Sequence, residues 1–199
     1  ALVKDWYADD FRAHPLDADY AGFHDWDDKI DDVSPAAREA ERKRLHAWLK
    51  KFESLDPTPL DPMQRDDRAV VVADIKAALL EEEDIQAWRK DPSVYSGLAV
   101  ECVFQTVKRD YAPLARRMGF AIAREKPIPA MLAPAQTVIR NPPRIYVEIA
   151  LENIDGALGF LKNSLPDAGK SVRGPRLAKE FDASNEAAMA ALQDYQGWL

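Results

Sequence analysis

Along most of this chain apolar residues recur at steps of three and four, the period of helices with one buried face. Val3, Tyr7 and Phe11 lie four apart, with Leu2 and Trp6 beside them, which predicts a helix to about Ala13, stopped before Pro15. Ser34 and Pro35 read as an N-cap and a first-turn proline, and the helix they open carries Leu45, Trp48, Leu49 and Phe52 on one face. Asp61 and Pro62 repeat the signal, with Gln64 placed to close a capping box. The stripe that follows, Val71, Ile75, Ala78, Leu79, Ile85 and Trp88, predicts one long helix to about Arg89.

The second half keeps the same grammar. Asp91 and Pro92 open a segment, GLAVECVFQTVKRDY, whose length favours a buried helix although its β-branched residues leave a strand open. Pro113 starts another, with Leu114, Met118 and Ile122 four apart, and a short helix from Met131 to Ile139 follows Pro127 and Pro129. Val147, Leu151, Ile154, Leu158 and Leu161 give the cleanest helical spacing in the chain. Residues 165–175 read as a loop, and a last helix over 184–199 turns Ala188, Ala191, Leu192, Tyr195 and Leu199 inward. Most of the fourteen prolines fall between periodic segments, and no hairpin dipeptide such as Asn-Gly occurs. The expected fold is all-α, about seven to eight helices in a mostly antiparallel array, as a single helical domain or as the N-terminal portion of a larger one.

Charge changes this picture in one place. Residues 1–34 hold ten aspartates against Lys4, Arg12 and Lys29, which accounts for the whole net charge of −7; the remainder is balanced. An acidic chain with no basic stripe argues against nucleic acid and anionic membranes as partners. No apolar run approaches the roughly 18 residues of a membrane span. The opening ALVKDWYADDF has neither the basic nor the apolar region of a signal peptide. With a single cysteine, Cys102, the cytoplasm is favoured; export after removal of a signal peptide stays open.

Candidate chemistry concentrates in the acidic loop 14–34, whose core HPLDADYAGFHDWDDKIDD has Asp at 17, 19, 25, 27, 28, 31 and 32, with His14, His24 and Gly22. Set against a calcium loop, Asp17, Asp19, Gly22 and Asp25 fall at ligand and turn positions. The pattern fails at its fifth position, Ala21, and at its twelfth, where Asp28 is too short to bind through both oxygens. No two histidines stand four apart, so no HExxH zinc helix is encoded, and His24 is expected to hydrogen-bond a neighbouring carboxylate or carbonyl. Gly169, Lys170 and Ser171 are not a P-loop, because Ser164 stands where the first glycine belongs. Cys102 lies in an apolar run and reads as inert, and the acidic run 81–84 as a solvated helix face. The residues expected to line a cleft are His24, Asp25, Tyr95 and Arg109; the chain offers no catalytic set and no metal ligands.

Four segments taken in order carry a resemblance: HPLDADYAGFHDWDDKIDDVSP, LDPMQRDDRAVVVADIKAALLEEEDIQAWRKDPSVY, RDYAPLARRM and NPPRIYVEIALENIDGALGFL. Together they resemble the large bacterial family called domain of unknown function 885. The resemblance implies a longer, largely helical protein whose later part carries His-Glu-x-x-Pro-Gly-His-His and Glu-Gly-Trp motifs, the marks of a zinc site that hydrolyses amides of peptide-like substrates. Neither motif occurs here. The implied role is therefore an N-terminal scaffold or cleft wall of a metallopeptidase-like fold, without cofactor of its own and inactive alone. It would be partnered by its own C-terminal region or by a second copy. The other reading is a stand-alone helical interaction module that uses its acidic N-terminal surface.

Overall fold

The computed structural model describes residues 1–172 and 174–199. Among them there is no strand, and the fold is all-α. The long helices are α1 (Leu2–Ala13), α3 (Pro35–Glu53), α4 (Pro62–Leu80), α5 (Ser93–Lys108), α6 (Leu114–Glu125), α9 (Arg144–Gly159) and α11 (Pro175–Trp198). Four short ones lie between them: α2 (Pro15–Tyr20), α7 (Ile128–Leu132), α8 (Ala135–Val138) and α10 (Leu165–Gly169). No described helix is long and apolar enough to cross a membrane.

The chain divides into two compact units. Residues 1–13 and 33–87 make the first, 14–32 and 88–199 the second. In the first, α1, α3 and α4 share a core of Trp6, Leu45, Trp48, Phe52, Val71, Ile75 and Leu79, which are the stripes read from the sequence. Trp6 and Trp48 meet edge to face at 5.7 Å. Polar groups close its rim: the Trp48 indole donates to Asp9 (2.8 Å), and Arg44 reaches Asp10 and Glu41, each at 2.7 Å. Ser34 caps α3, and Asp61 with Gln64 forms the full capping box of α4.

Helix α4 does not run to Arg89. It stops at Leu80, widens into a single π turn (Glu81–Ile85), and ends where Gln86 takes a left-handed φ of 51°. The acidic run is only in part the solvated face expected: Glu83 and Asp84 are exposed, whereas Glu81 and Glu82 are half-buried. Glu82 pairs with Arg38 at 2.6 Å, Glu83 with His46 at 2.7 Å, and Glu81 accepts from the Ala87 amide at 3.1 Å. The carboxylates tie the end of α4 back to α3.

In the second unit α5 packs on α6 and α9, and α11 lies across α6, α7 and α9. The GLAVECVFQTVKRDY segment is helical. The helix expected over 131–139 is two short ones, since Pro134 supplies no amide to continue α7. Helix α9 buries Ala150, Ile154 and Ala157, so Val147, Leu151 and Leu158 sit at the edges of the contact. A π turn (Phe160–Ser164) joins it to α10, which replaces the first half of the expected 165–175 loop because Leu161 and Leu165 are both fully buried. Helix α11 begins nine residues earlier than its apolar pattern suggests, at Pro175. Its buried stripe includes Ser184 and Asn185, whose polarity hides the helical period from a hydrophobicity reading.

Those two residues hold Glu125 of α6. Its carboxyl is buried, with the Ser184 hydroxyl donating to one oxygen and the Asn185 amide to the other at 2.9 Å. Burial pushes its pKa up to about 7, against the pull of the two hydrogen bonds. A raised folded-state pKa means the folded protein binds the proton more tightly than the unfolded one. The stability this group contributes is complete below about pH 4.5 and is lost as pH rises through about 7. Urea unfolding between about pH 5 and pH 8 is expected to show this fall, on the order of 2–3 kcal/mol. Glu125→Gln, whose amide can donate to Ser184 and accept from Asn185, should flatten that part of the profile.

Candidate functional site

The acidic segment is not a calcium loop, and its local geometry shows why. Pro15 starts α2 at the first-turn position, and Asp31 takes the capping role that His14 does not fill: its carboxylate accepts from the Leu16 amide at 3.1 Å and lies 3.5 Å from His14 Nδ1. The helix ends at Gly22, φ +83°, with Phe23 N–H on the Ala18 carbonyl (2.8 Å) and Gly22 N–H on the Asp19 carbonyl (3.0 Å). That is a Schellman closure, which calls for glycine at the left-handed position. Gly22, which matched the turn of a metal loop, is thus a helix stop, and Asp17 and Asp19 lie on a helix.

Asp19 points inward. Its carboxylate meets Arg124 of α6, the largest fully buried side chain among the described residues. Arg124 Nη1 donates to Asp19 Oδ2 and to the Cys102 carbonyl of α5, each at 2.7 Å; Nε donates to the Lys29 carbonyl at 3.0 Å; Nη2 stands 3.8 Å from Asp27 Oδ1. His24 Nδ1 lies 3.1 Å from Asp27 Oδ1 and 3.8 Å from Asp19 Oδ1. The His24 ring stacks on Tyr111 at 3.7 Å, the planes within 2° of parallel. Burial first, and then the adjoining Asp27 carboxylate, hold the Tyr111 hydroxyl protonated well above its usual range. Nearby, the Tyr20 hydroxyl donates to Glu101 of α5.

Of the residues expected to line a cleft, only His24 enters this cluster, with the carboxylate partner anticipated for it. Asp25 is exposed beside it. Tyr95 is fully buried and donates its hydroxyl to the Trp88 carbonyl at 2.9 Å, so it is part of the core rather than a cleft wall. Arg109 is exposed at the end of α5, where it follows the last helical turn. Sequence reasoning missed Asp27, Tyr111 and Arg124, and placed Asp19 only against a calcium loop. One signal was present: the stripe Met118, Ala121, Ile122 places positions 124 and 125 on the buried side of α6, although their residue types argue for solvent. Cys102 is inert as expected, since burial raises its thiol to about 12.

Asp19, His24 and Asp27 bring three ligand atoms within 4.8 Å of one another. They do not fit the zinc centre implied for longer relatives. Arg124 occupies one Asp19 oxygen and stands beside Asp27, so a fixed positive charge already lies where a dication would. The set also has one imidazole, against the two on one helix that such a centre uses. Chemically, the arrangement is a charge clasp: it fastens segment 14–32 onto α5 and α6.

Comparison with known proteins agrees with the sequence segments quoted above. A family model described as "Bacterial protein of unknown function (DUF885)" matches residues 15–199. A solved structure described as that of "a putative lipoprotein of unknown function from Shewanella oneidensis" matches with a TM-score of 0.90 at 22% identity. The match covers 99% of this chain and 36% of that one, so this chain spans little more than a third of its structural neighbour. None of the curated proteins matches.

Removing Arg124 strands two buried carboxylates. Arg124→Met is expected to destabilise the second unit by about 3–5 kcal/mol in chemical denaturation. Arg124→Lys should recover little, because an ammonium cannot reach three acceptors in the guanidinium's fixed directions. Asp25→Asn, on the exposed side of the same loop, should change stability by less than about 0.5 kcal/mol. Gly22→Ala should cost about 1 kcal/mol at the left-handed position, read from the same unfolding curves.

Proposed function

The chain belongs to the bacterial family of unknown function DUF885, and from that membership we propose that it is the N-terminal scaffold, or cleft wall, of a longer zinc-dependent peptidase-like hydrolase. One observation carries the reading: nearly all of this chain superimposes on 36% of a much longer protein. A piece that keeps its fold inside a much longer chain is suited to support a site held elsewhere. The chain's own chemistry supports the same reading. The charged cluster it brings together is consumed in fastening its own segments, and the reaction implied for the family needs motifs these residues do not contain.

The surface supports it as well. Ile145, Tyr146 and Ile149 stand exposed on the first turns of α9. On this reading they are covered by the chain's own C-terminal region; a second copy of the chain is the other cover that would fit. The alternative of a free acidic interaction module is less well supported. Asp9 and Asp10 pair with Arg44, Asp19 pairs with Arg124, and Asp31 caps α2, so much of the N-terminal charge is spent internally. The lipoprotein description of the S. oneidensis relative favours export for this protein too, against the cytoplasmic location that the single cysteine suggested.

The coding sequence beyond Leu199 tests the proposal directly. It is expected to continue into His-Glu-x-x-Pro-Gly-His-His and Glu-Gly-Trp motifs. The longer product should cleave peptides in a chelator-sensitive manner, with the 199-residue chain inactive. A stop codon at that point, or a long product that shows no metal-dependent hydrolysis, would sink the reading.

A further inference from the structure

The charge clasp leaves two buried charged atoms without a direct hydrogen-bond partner among the described residues, Asp27 Oδ2 and Arg124 Nη2. They belong to one place. Arg124 Nη2 is 3.8 Å from the Asp27 carboxylate, too far for a hydrogen bond, and the Tyr111 hydroxyl faces the same carboxylate. Asp27 and Arg124 retain only 2% and 0% of their exposure, so bulk solvent cannot satisfy them. A buried carboxylate oxygen and a buried guanidinium N–H left unmet each cost free energy, and a native interior rarely tolerates both side by side.

We propose that this point is a binding site for one small neutral molecule that both donates and accepts, a single ordered water, which bridges Arg124, Asp27 and Tyr111. The chemistry selects the ligand. Arg124 Nη2 can only donate and Asp27 Oδ2 can only accept, so the occupant must accept from one and donate to the other. A metal ion would satisfy Asp27 but be repelled by the guanidinium, and an anion would satisfy Arg124 but be repelled by Asp19 and Asp27. The hydroxyl of Tyr111 supplies a third partner, within the two to four that hold a buried water. The stacked rings of His24 and Tyr111, both half-buried, form the outer cover. The stack thus shields the bridge, and the water completes the fastening of segment 14–32 to α6.

A high-resolution crystal structure of the protein, from crystals grown in chelator and again in zinc or calcium, decides the matter. The expected result is the same isolated peak under every condition, at about 2.7–3.2 Å from Arg124 Nη2, Asp27 Oδ2 and the Tyr111 hydroxyl oxygen. A peak at about 2.0–2.6 Å from Asp19, His24 and Asp27 with anomalous signal would make this a metal site and overturn the proposal. So would an empty site with Arg124 Nη2 resting directly on Asp27. In solution, Tyr111→Phe keeps the stacked ring and removes only the third partner. It is expected to lower the folding equilibrium constant roughly three- to tenfold. An unchanged constant would contradict Tyr111 as a partner of the bridge.

Discussion

The position of the acidic segment depends on one buried guanidinium. Arg124 has no exposure, and a cation there is tolerable only if its donors are met. Three different stretches meet them: Asp19 on α2, the Lys29 carbonyl at the end of the segment, and the Cys102 carbonyl on α5. Each partner is fixed in direction by the planar fork of the side chain, so the contacts set orientation as well as attachment. A hydrophobic residue could fill the same volume and leave the segment free to slide.

Helix α6 distributes such constraints in several directions. Arg124 turns towards the acidic segment while its neighbour Glu125 turns towards α11, where Ser184 and Asn185 receive it. Seven residues before Arg124, Arg117 sends Nε to the Ala112 carbonyl and Nη1 to the Val107 carbonyl, and pairs with Asp110. A cation at this point satisfies carbonyls that the end of α5 leaves without helical partners. The apolar face of α6 packs the helix, and its charged residues decide what lies beside it and at what angle.

The same logic changes the meaning of the N-terminal charge. Read along the chain, ten aspartates in the first 34 residues suggest a surface that attracts cations or basic partners. In the folded protein Asp9, Asp10, Asp19, Asp27 and Asp31 serve as pair partners and caps. A scaffold gains from this use, since a loop held by directional polar contacts keeps its shape while a neighbouring body is placed against it. The exposed apolar turns of α9 are the complementary feature, a face held firm but not covered by the described residues.

The sequence by itself determined the long helices and most of their starts. The proline that follows Ser34, Asp61 or Asp91, and the four-residue apolar steps, are local signals. They act between residues a turn apart and survive without knowledge of the fold. Local signals failed where a polar residue was buried by something distant. Ser184 and Asn185 broke the apolar period and hid the first nine residues of α11; Glu81 and Glu82 read as solvated although the Ala87 amide and Arg38 lie against them. The clasp is the clearest case, because Asp19 and Arg124 stand 105 residues apart and nothing near either one names the other. His24 could be singled out from its neighbours, but its setting could not. Only the tertiary structure decided which charges face inward, because burial of a charge is permitted by its partner and not by its own sequence context.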